Sequence, residues 1–504
     1  MLRNRLSILI ELGWDAIPSH SPSRLVGSSR SSKMPKLAHE FRALLRLAVP
    51  SMMSTYCFFG ISVTELSVMG HLGVDQLAAV AYSQMSMDFS TLVFMQGFNA
   101  GTNSLCSQAF GAKNYRLLGE YAQMTLFAQT VMCVPLALLW WNLGDILALA
   151  GVADAVATYA RTYCRLSIIW LWPRSMFQVL SIYYQSQQIV VPTACINVMT
   201  VGVNLVLATG LTYGKFGLPA LGFIGCPIGT SVALFLRLAV YHGYMNVYKC
   251  YHHRTIPKWR WNFLNKDLFV RLASVGVPLA LGNMFENAQL QTMALFSATI
   301  GKVQLGTHNS MMELFFFATS PIYGLINASV TRMGSHLGAG KMVPAIVVAK
   351  LAGICIGTLS VTNGLIMVFF KHDLGKIFSN DPLVVDNFAQ IASLGGIAYC
   401  VLAFFYYSMA VLQAQARSTP VMVAFTAGAW LVGVPSAYFL GIAREPKDFF
   451  LIWVGMLCGY VVTASIGFYA AFFNTDWEEE THKAVERSRK KKSQQQEYDA
   501  LLPK

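Results

Sequence analysis

The sequence predicts an all-α membrane protein of twelve transmembrane helices, arranged as two pseudo-symmetric six-helix lobes. Three observations predict it. The chain is too poor in charge to live in water, apolar runs of spanning length recur from end to end, and features of the first half return in the second. Of the 504 residues, 55% are hydrophobic and 12% are Asp, Glu, Lys or Arg, against roughly 25% charged residues in an average soluble chain. Too few charges remain to coat a water-facing surface of this size, so the solvent for most of the chain is lipid.

A spanning helix needs about 20 mostly apolar residues. Twelve runs qualify, near 44–69, 77–105, 121–143, 162–184, 190–212, 218–246, 270–300, 305–330, 345–370, 386–413, 419–441 and 449–473. No strong helical period is expected in them, because a helix between lipid and protein is apolar nearly all round. Residues 1–40 form an N-terminal tail without expected structure. The first lobe takes 41–248, the linker 249–268, the second lobe 269–474 and the C-terminal tail 475–504.

The net charge of +13 is placed like a membrane protein's and excludes a nucleic-acid reading. With loops assigned alternately to two sides, one side carries 27 Lys and Arg and the other 8, while Arg174 and Arg237 lie within spans. This positive-inside pattern puts both termini, the 249–268 linker and the 334–344 turn in the cytoplasm, and the 371–386 loop outside or in a lumen. Ten scattered cysteines with no CxxC pair read as small buried hydrophobes in a protein without disulfides. The first 34 residues make a poor signal peptide, since Glu11 interrupts their one apolar patch.

The polar segment 249–268 divides the spans six and six. An offset of 228 then aligns Pro50 with Pro278, Gly73 with Gly301, Leu77 with Leu305, Gln185 and Gln187 with Gln413 and Gln415, and Pro192 with Pro420. With a one-residue slip, Gly111-Ala112-Lys113 meets Gly338-Ala339-Gly340. These positions are expected at helix ends. Six spans per half send both halves into the membrane in the same direction, related by an axis along its normal, with a substrate site between them near the midplane.

The segment SLCSQAFGAKNYRLLG (104–119) closely resembles the second-to-third helix junction of the multidrug and toxic compound extrusion (MATE) family. MGHLGVDQLAAVA (69–81), YYQSQQIVVP (183–192), the run at 217–233, ASVTRMGSHLGAGK (328–341), FSNDPLVV (378–385) and VLQAQA (411–416) are similar to it as well. The resemblance covers roughly 41–474 and is nearest the eukaryotic branch. It implies a V-shaped central cleft and a cation-coupled antiporter that exports organic cations and other amphipathic compounds on a proton or sodium gradient, by alternating access. No further cofactor is implied. The partners are the lipid bilayer and a small amphipathic or cationic substrate, and the chain is expected to act as a monomer.

A charged side chain in the bilayer costs at least about 2.5–3.5 kcal/mol and by default marks an ion or substrate path. Four acids fall within the spans: Glu65, Asp88, Glu286 and Glu313. The resemblance gives Glu286, eight residues after Pro278, the place of an essential seventh-helix glutamate, and Glu313 that of an eighth-helix glutamate. Glu65, five residues before GHLG, stands where prokaryotic members often have Asp. Glu286, Glu313 and Glu65 are therefore the candidate coupling and substrate residues. Asn283, Asn287 and Gln291 recur at helical spacing beside Glu286 as one polar stripe, Asn309 stands one turn from Glu313, and Gln84 one turn from Asp88 as a possible partner. These, with Asp88, Gln185 and Gln413, are candidates to line the cavity. Structural readings stand beside them: a polar seam that packs helices for Glu286, a helix-end carboxylate for Glu313, an outer-leaflet acid for Glu65. The family's further carboxylates are absent here, where Gln291 and Leu402 stand. Phe285, Phe315, Phe316, Phe317, Tyr183 and Tyr184 are candidates to stack on planar cations.

No GxxxxGK[ST] and no HExxH occurs, which leaves the chain without an ATP or zinc-protease motif. His252 and His253 in the basic linker read as solvated. A lipid or glycolipid flippase of the same superfamily is the alternative transporter; it would need basic residues in the cavity. A membrane enzyme would need a clustered catalytic set, and a channel would not need the duplication. The tail segment EYDALL (497–502) fits an acidic dileucine address, which leaves plasma membrane and vacuolar or endosomal membranes as places of residence.

Overall fold

The computed structural model describes residues 37–256, 261–378 and 382–489. Among them there is no β-strand. Twelve long helices follow one another: α1 (Leu37–Gly70), α2 (residues 74–111), α3 (Tyr115–Trp141), α4 (Asp154–Ser186), α5 (Val191–Tyr213) and α6 (Gly222–Tyr248), then α7 (Lys266–Ile300), α8 (Lys302–Gly338), α9 (Met342–Phe369), α10 (Pro382–Ala414), α11 (Thr419–Ile442) and α12 (Phe449–Phe473). Ten of them are long and apolar enough to cross a bilayer. The other two, α2 and α4, have the length but carry Asp88, Arg161, Arg165 and Arg174, so their polarity marks them as helices that face protein or cavity. The structure also leaves the tail address 497–502 and part of both the linker and the 371–386 loop outside the described residues.

The duplication is visible in detail at the offset of 228. Gly73 and Gly301 each end the first turn of a half with a glutamine folded back on them, Gln76 and Gln304. Gln188 and Ala416 both adopt positive φ, at 66° and 57°, and Pro192 and Pro420 both open the next helix. Short helices Leu143–Leu149 and Lys371–Phe378 follow the third helix of each half. The second of these replaces the first part of the loop expected at 371–386. Pro50 and Pro278 do not lie at helix ends as expected. Each sits inside the first helix of its half, where a neighbouring helix can absorb the lost hydrogen bond.

Other boundaries differ from expectation for identifiable reasons. Helix α1 begins inside the stretch assigned to the tail, because Glu40 accepts two hydrogen bonds from Arg332 at 3.0 and 3.1 Å and lies 3.3 Å from His336. Helix α6 begins later than 218, because Gly217 and Gly222 take positive φ and Leu221 bonds back to Leu211. The tail is helical over Trp477–Arg487, here α13, which Asp476 caps by accepting from Glu478 and Glu479. All ten cysteines are free, but only Cys106, Cys133, Cys164 and Cys226 are buried. His252 is half-buried rather than solvated, and burial beside His253 and His242 holds its pKa below the usual histidine range.

The halves meet along α1 against α8 and α2 against α7 and α8. The contact is tight at the end of the bundle that carries the α2–α3 and α8–α9 turns. A Cβ added at Gly111 would fall 1.9 Å from the Ser335 carbonyl oxygen, and one at Gly338 1.9 Å from that of Gln108. The two contacts mirror each other across the pseudo-twofold axis. Around them Ser104 donates to the Gln413 carbonyl at 2.5 Å, Gln108 to that of Ala414 at 2.8 Å, and Thr331 to the Asn103 side chain at 3.0 Å. Helix α13 lies on the same end and touches both halves. Asn114 of the first donates to the Ser488 carbonyl at 3.2 Å, and Arg487 donates to the Gln415 carbonyl of the second at 2.9 Å.

Candidate functional site

Two acid sites stand inside the bundle, one in each half. In the second half Glu286 is 5% exposed. Its Oε1 accepts a hydrogen bond from the Tyr406 hydroxyl of α10 at 2.6 Å, and Tyr406 accepts from the Tyr323 hydroxyl of α8 at 3.3 Å. The chain of hydroxyls runs from Tyr323, 39% exposed, to the buried acid. Tyr406 lies one turn beyond Leu402, so the same face of α10 that lacks a carboxylate supplies a phenol instead.

The polar stripe does not include Glu286. Asn287 donates to the Asn283 backbone at 2.9 Å, within its own helix, and Asn283, Asn287 and Gln291 are all half-exposed on a neighbouring face. Glu313 is exposed and accepts no protein hydrogen bond from the described residues, and Asn309 is exposed one turn earlier. Phe317, a turn further on this face, meets Tyr56 and Phe59 of α1 with ring centroids 5.3 and 6.2 Å apart. Asn309 and Glu313 therefore lie on the face of α8 that Phe317 turns toward α1. The expected aromatic set is otherwise dispersed. Phe315 is buried against Tyr399 and Trp453, Tyr183 and Tyr184 pack on each other, and Phe285 packs against the main core.

In the first half, Glu65 accepts from Gln84 at 2.6 Å and from the Tyr163 hydroxyl at 2.9 Å. Gln84 is thus the partner of Glu65, not of Asp88. Asp88 pairs with Arg174 at 2.9 Å, and that guanidinium stands 4.5 Å from the Phe58 ring centroid. A small cavity of about 30 Å³ is lined by Glu65, Gln84, Asp88, Arg174, Thr230 and Arg237, among others. This corrects the expectation that the cavity residues are acids and amides alone. Gln185 and Gln413 do not line a cavity with these groups. Gln185 donates to Thr331 across the halves at 3.5 Å, and the Gln413 carbonyl takes the Ser104 bond. Their place beside the positive-φ turns puts them at the tightly packed end. Among the described residues no group of three His, Cys, Asp or Glu has the arrangement of a metal site.

The residues that sequence reasoning missed are Tyr163, Tyr323 and Tyr406. Nothing separates them from the chain's other tyrosines until helices far apart in sequence are brought together. Arg174 and Arg237 were visible as the basic residues within spans, without their setting. Loss of a hydrogen bond to a charged group is worth about 1.5–3 kcal/mol. If the Glu286 carboxylate takes part in transport, Tyr406→Phe is expected to lower the initial rate about tenfold at unchanged protein level. An unchanged rate in a vesicle assay would show that the hydroxyl is idle.

A family model described as MatE matches residues 50–209 and 278–439, one match per half. Protein DETOXIFICATION 14 of Arabidopsis thaliana is 27% identical over 475 residues, covering 92% of this chain and 94% of its own. Multidrug resistance protein NorM of Aliivibrio fischeri is 22% identical, over 86% and 94%. Multidrug and toxin extrusion protein 1 of Danio rerio is 24% identical, over 94% and 80%. Among solved structures, the eukaryotic MATE transporter AtDTX14 superposes with a TM-score of 0.81 at 24% identity, covering 90% of this chain and all of that one.

Proposed function

Because this chain belongs to the MatE family and is a membrane transporter, we propose that it is a secondary antiporter. It exports organic cations, xenobiotics or metabolites in exchange for protons or sodium by alternating access. The observation that carries this reading is Glu286: a carboxylate buried in the second half whose hydrogen-bond partner is a neutral phenol. A buried carboxylate without a countercharge is costly, so it takes either a proton or a cation, and the two exclude each other. That exclusion couples ion entry to substrate exit. The names of the relatives, a multidrug resistance protein and a multidrug and toxin extrusion protein, support the substrate class.

The tightly packed end of the bundle, with α13, is the cytoplasmic end in this reading, as the Lys and Arg distribution requires. The membrane is the plasma membrane or a vacuolar or endosomal one. The test is transport of a fluorescent organic cation by the purified protein in proteoliposomes, with pH and sodium gradients imposed separately. One gradient is expected to drive accumulation against the substrate's own gradient. Equal rates with no gradient, a pH gradient and a sodium gradient would remove the antiporter.

A further inference from the structure

We propose that the cavity between α1, α2, α4 and α6 binds an anionic group on Arg237, either a small inorganic anion or the carboxylate of an organic acid. Arg237 stands well inside α6 and is 5% exposed. Its neighbour is the ring of Phe177, 4.0 Å from the guanidinium carbon to the centroid, and its buried Nε has no hydrogen-bond partner. The other charges of the cavity are bound elsewhere and do not meet Arg237. Asp88 holds Arg174, and Glu65 accepts from Gln84 and Tyr163 on Oε2, while its buried Oε1 has no partner among the described residues and no bond joins it to Arg237. A buried cation is normally paired, and a guanidinium presents a planar fork of donors that matches a carboxylate or another oxyanion. The Nε of Arg237 therefore has a donor position left for such a group.

The size of the cavity and its mouth limit the ligand. A volume of about 30 Å³ admits a halide or a carboxylate head. The body of a larger acid has to extend past Asp88, whose side chain is 47% exposed. The duplication sets this site apart from the one in the second half. At the offset of 228, Glu286 falls on Phe58 and Arg174 on Leu402. The same two positions hold an acid and a leucine in one half, and a phenylalanine and an arginine in the other. The inference does not rest on the antiporter reading, since binding needs no gradient.

The full-length protein in detergent provides the test at constant ionic strength, with Arg237→Gln in the same salts as the reference for general salt effects. Sodium chloride and sodium benzoate are the two probes, read by thermal unfolding midpoint and by the fluorescence of Trp170, which lines the cavity. At ten times its dissociation constant a bound anion is expected to raise the midpoint by about 1 °C. Stabilisation by chloride identifies an inorganic-anion site, and stabilisation by benzoate alone an organic-acid site. The shift is expected to vanish in Arg237→Gln and to persist in Arg237→Lys. Should Arg237→Gln not fold, the fluorescence response of wild type and its disappearance in Trp170→Phe locate the ligand instead. An equal shift in Arg237→Gln, a fluorescence response that survives Trp170→Phe, or no response of wild type to either anion overturns the proposal. Glu286→Gln is the separating control: loss of export there with the anion response intact leaves this site standing.

Discussion

Glu286→Gln is expected to reduce gradient-driven export to background while the protein folds and reaches its membrane at the normal level. Glutamine keeps the length of the side chain and an oxygen that accepts from Tyr406, so the hydrogen bond at 2.6 Å has a replacement. The substitution also removes a charge from a buried site, and its cost to folding is below about 1 kcal/mol. What glutamine lacks is a second charge state. It cannot take a proton from one side and trade it for a cation from the other. Glu286→Asp keeps the acid but sets it back by one methylene from Tyr406, and partial export with a shifted pH optimum is expected. Glu313→Gln is expected to weaken export less or to change substrate preference, because its carboxylate is exposed and engages no protein donor among the described residues. The measurement is efflux of a fluorescent organic cation across a range of imposed pH, with surface protein quantified in parallel. Normal pH-dependent efflux by Glu286→Gln would move the coupling site elsewhere, with Glu65 next in line.

The second large effect is expected at the seam of the halves. Gly111→Val places a branched side chain where even a Cβ would lie 1.9 Å from the Ser335 backbone oxygen. A backbone carbonyl inside a helix cannot swing aside as a flexible side chain can. Overpacking of this kind costs at least about 3 kcal/mol, enough to hold that end of the bundle apart. Gly338→Val strikes the mirror contact on Gln108 and is expected to do the same. Cysteines introduced at 104 and 413, in a background without the ten native ones, report on it. Ser104 and Gln413 are in hydrogen-bond contact at 2.5 Å, so a short cross-linker joins them when Gly111 is present. In Gly111→Val the cross-link and export are both expected to be lost. Full cross-linking in that variant would refute the packing described here.

Most of the helical layout was legible in the sequence, because lipid imposes a composition that can be read without knowing any contact. The limits of that reading follow from the same physics. Helices α2 and α4 are less apolar than the others because Asp88 and Arg174 meet in the cavity between them, while Arg161 and Arg165 of α4 reach Asp145 and Trp141. Leu143–Leu149 and Lys371–Phe378 are too short for a periodic signal. The intramembrane acids were visible one by one, since each is rare and costly. Their partners were not: Tyr406 reaches Glu286 across 120 residues of chain and Tyr163 reaches Glu65 across 98. Spacing along one helix suggested Gln84 for Asp88 and the asparagine stripe for Glu286, and in both cases another helix supplied the partner. The offset of 228 correctly paired Gln185 with Gln413. It could not say that both serve the seam and not the cavity.

Helix α13 gives the resting protein a lopsided balance. It is held to the second half by Arg487 on the Gln415 carbonyl and by the proximity of Glu480 to Arg417 at 4.0 Å, and to the first half by the hydrogen bond that Asn114 donates to the Ser488 carbonyl at 3.2 Å. In the alternating access proposed above, the halves part at this end, the helix stays with the second half and the Asn114 bond breaks. At about 1 kcal/mol, that bond weights the closed arrangement roughly fivefold. Helix α13 is thus a counterweight, set by a single asparagine, on how often the proposed antiporter opens at the end where this helix lies.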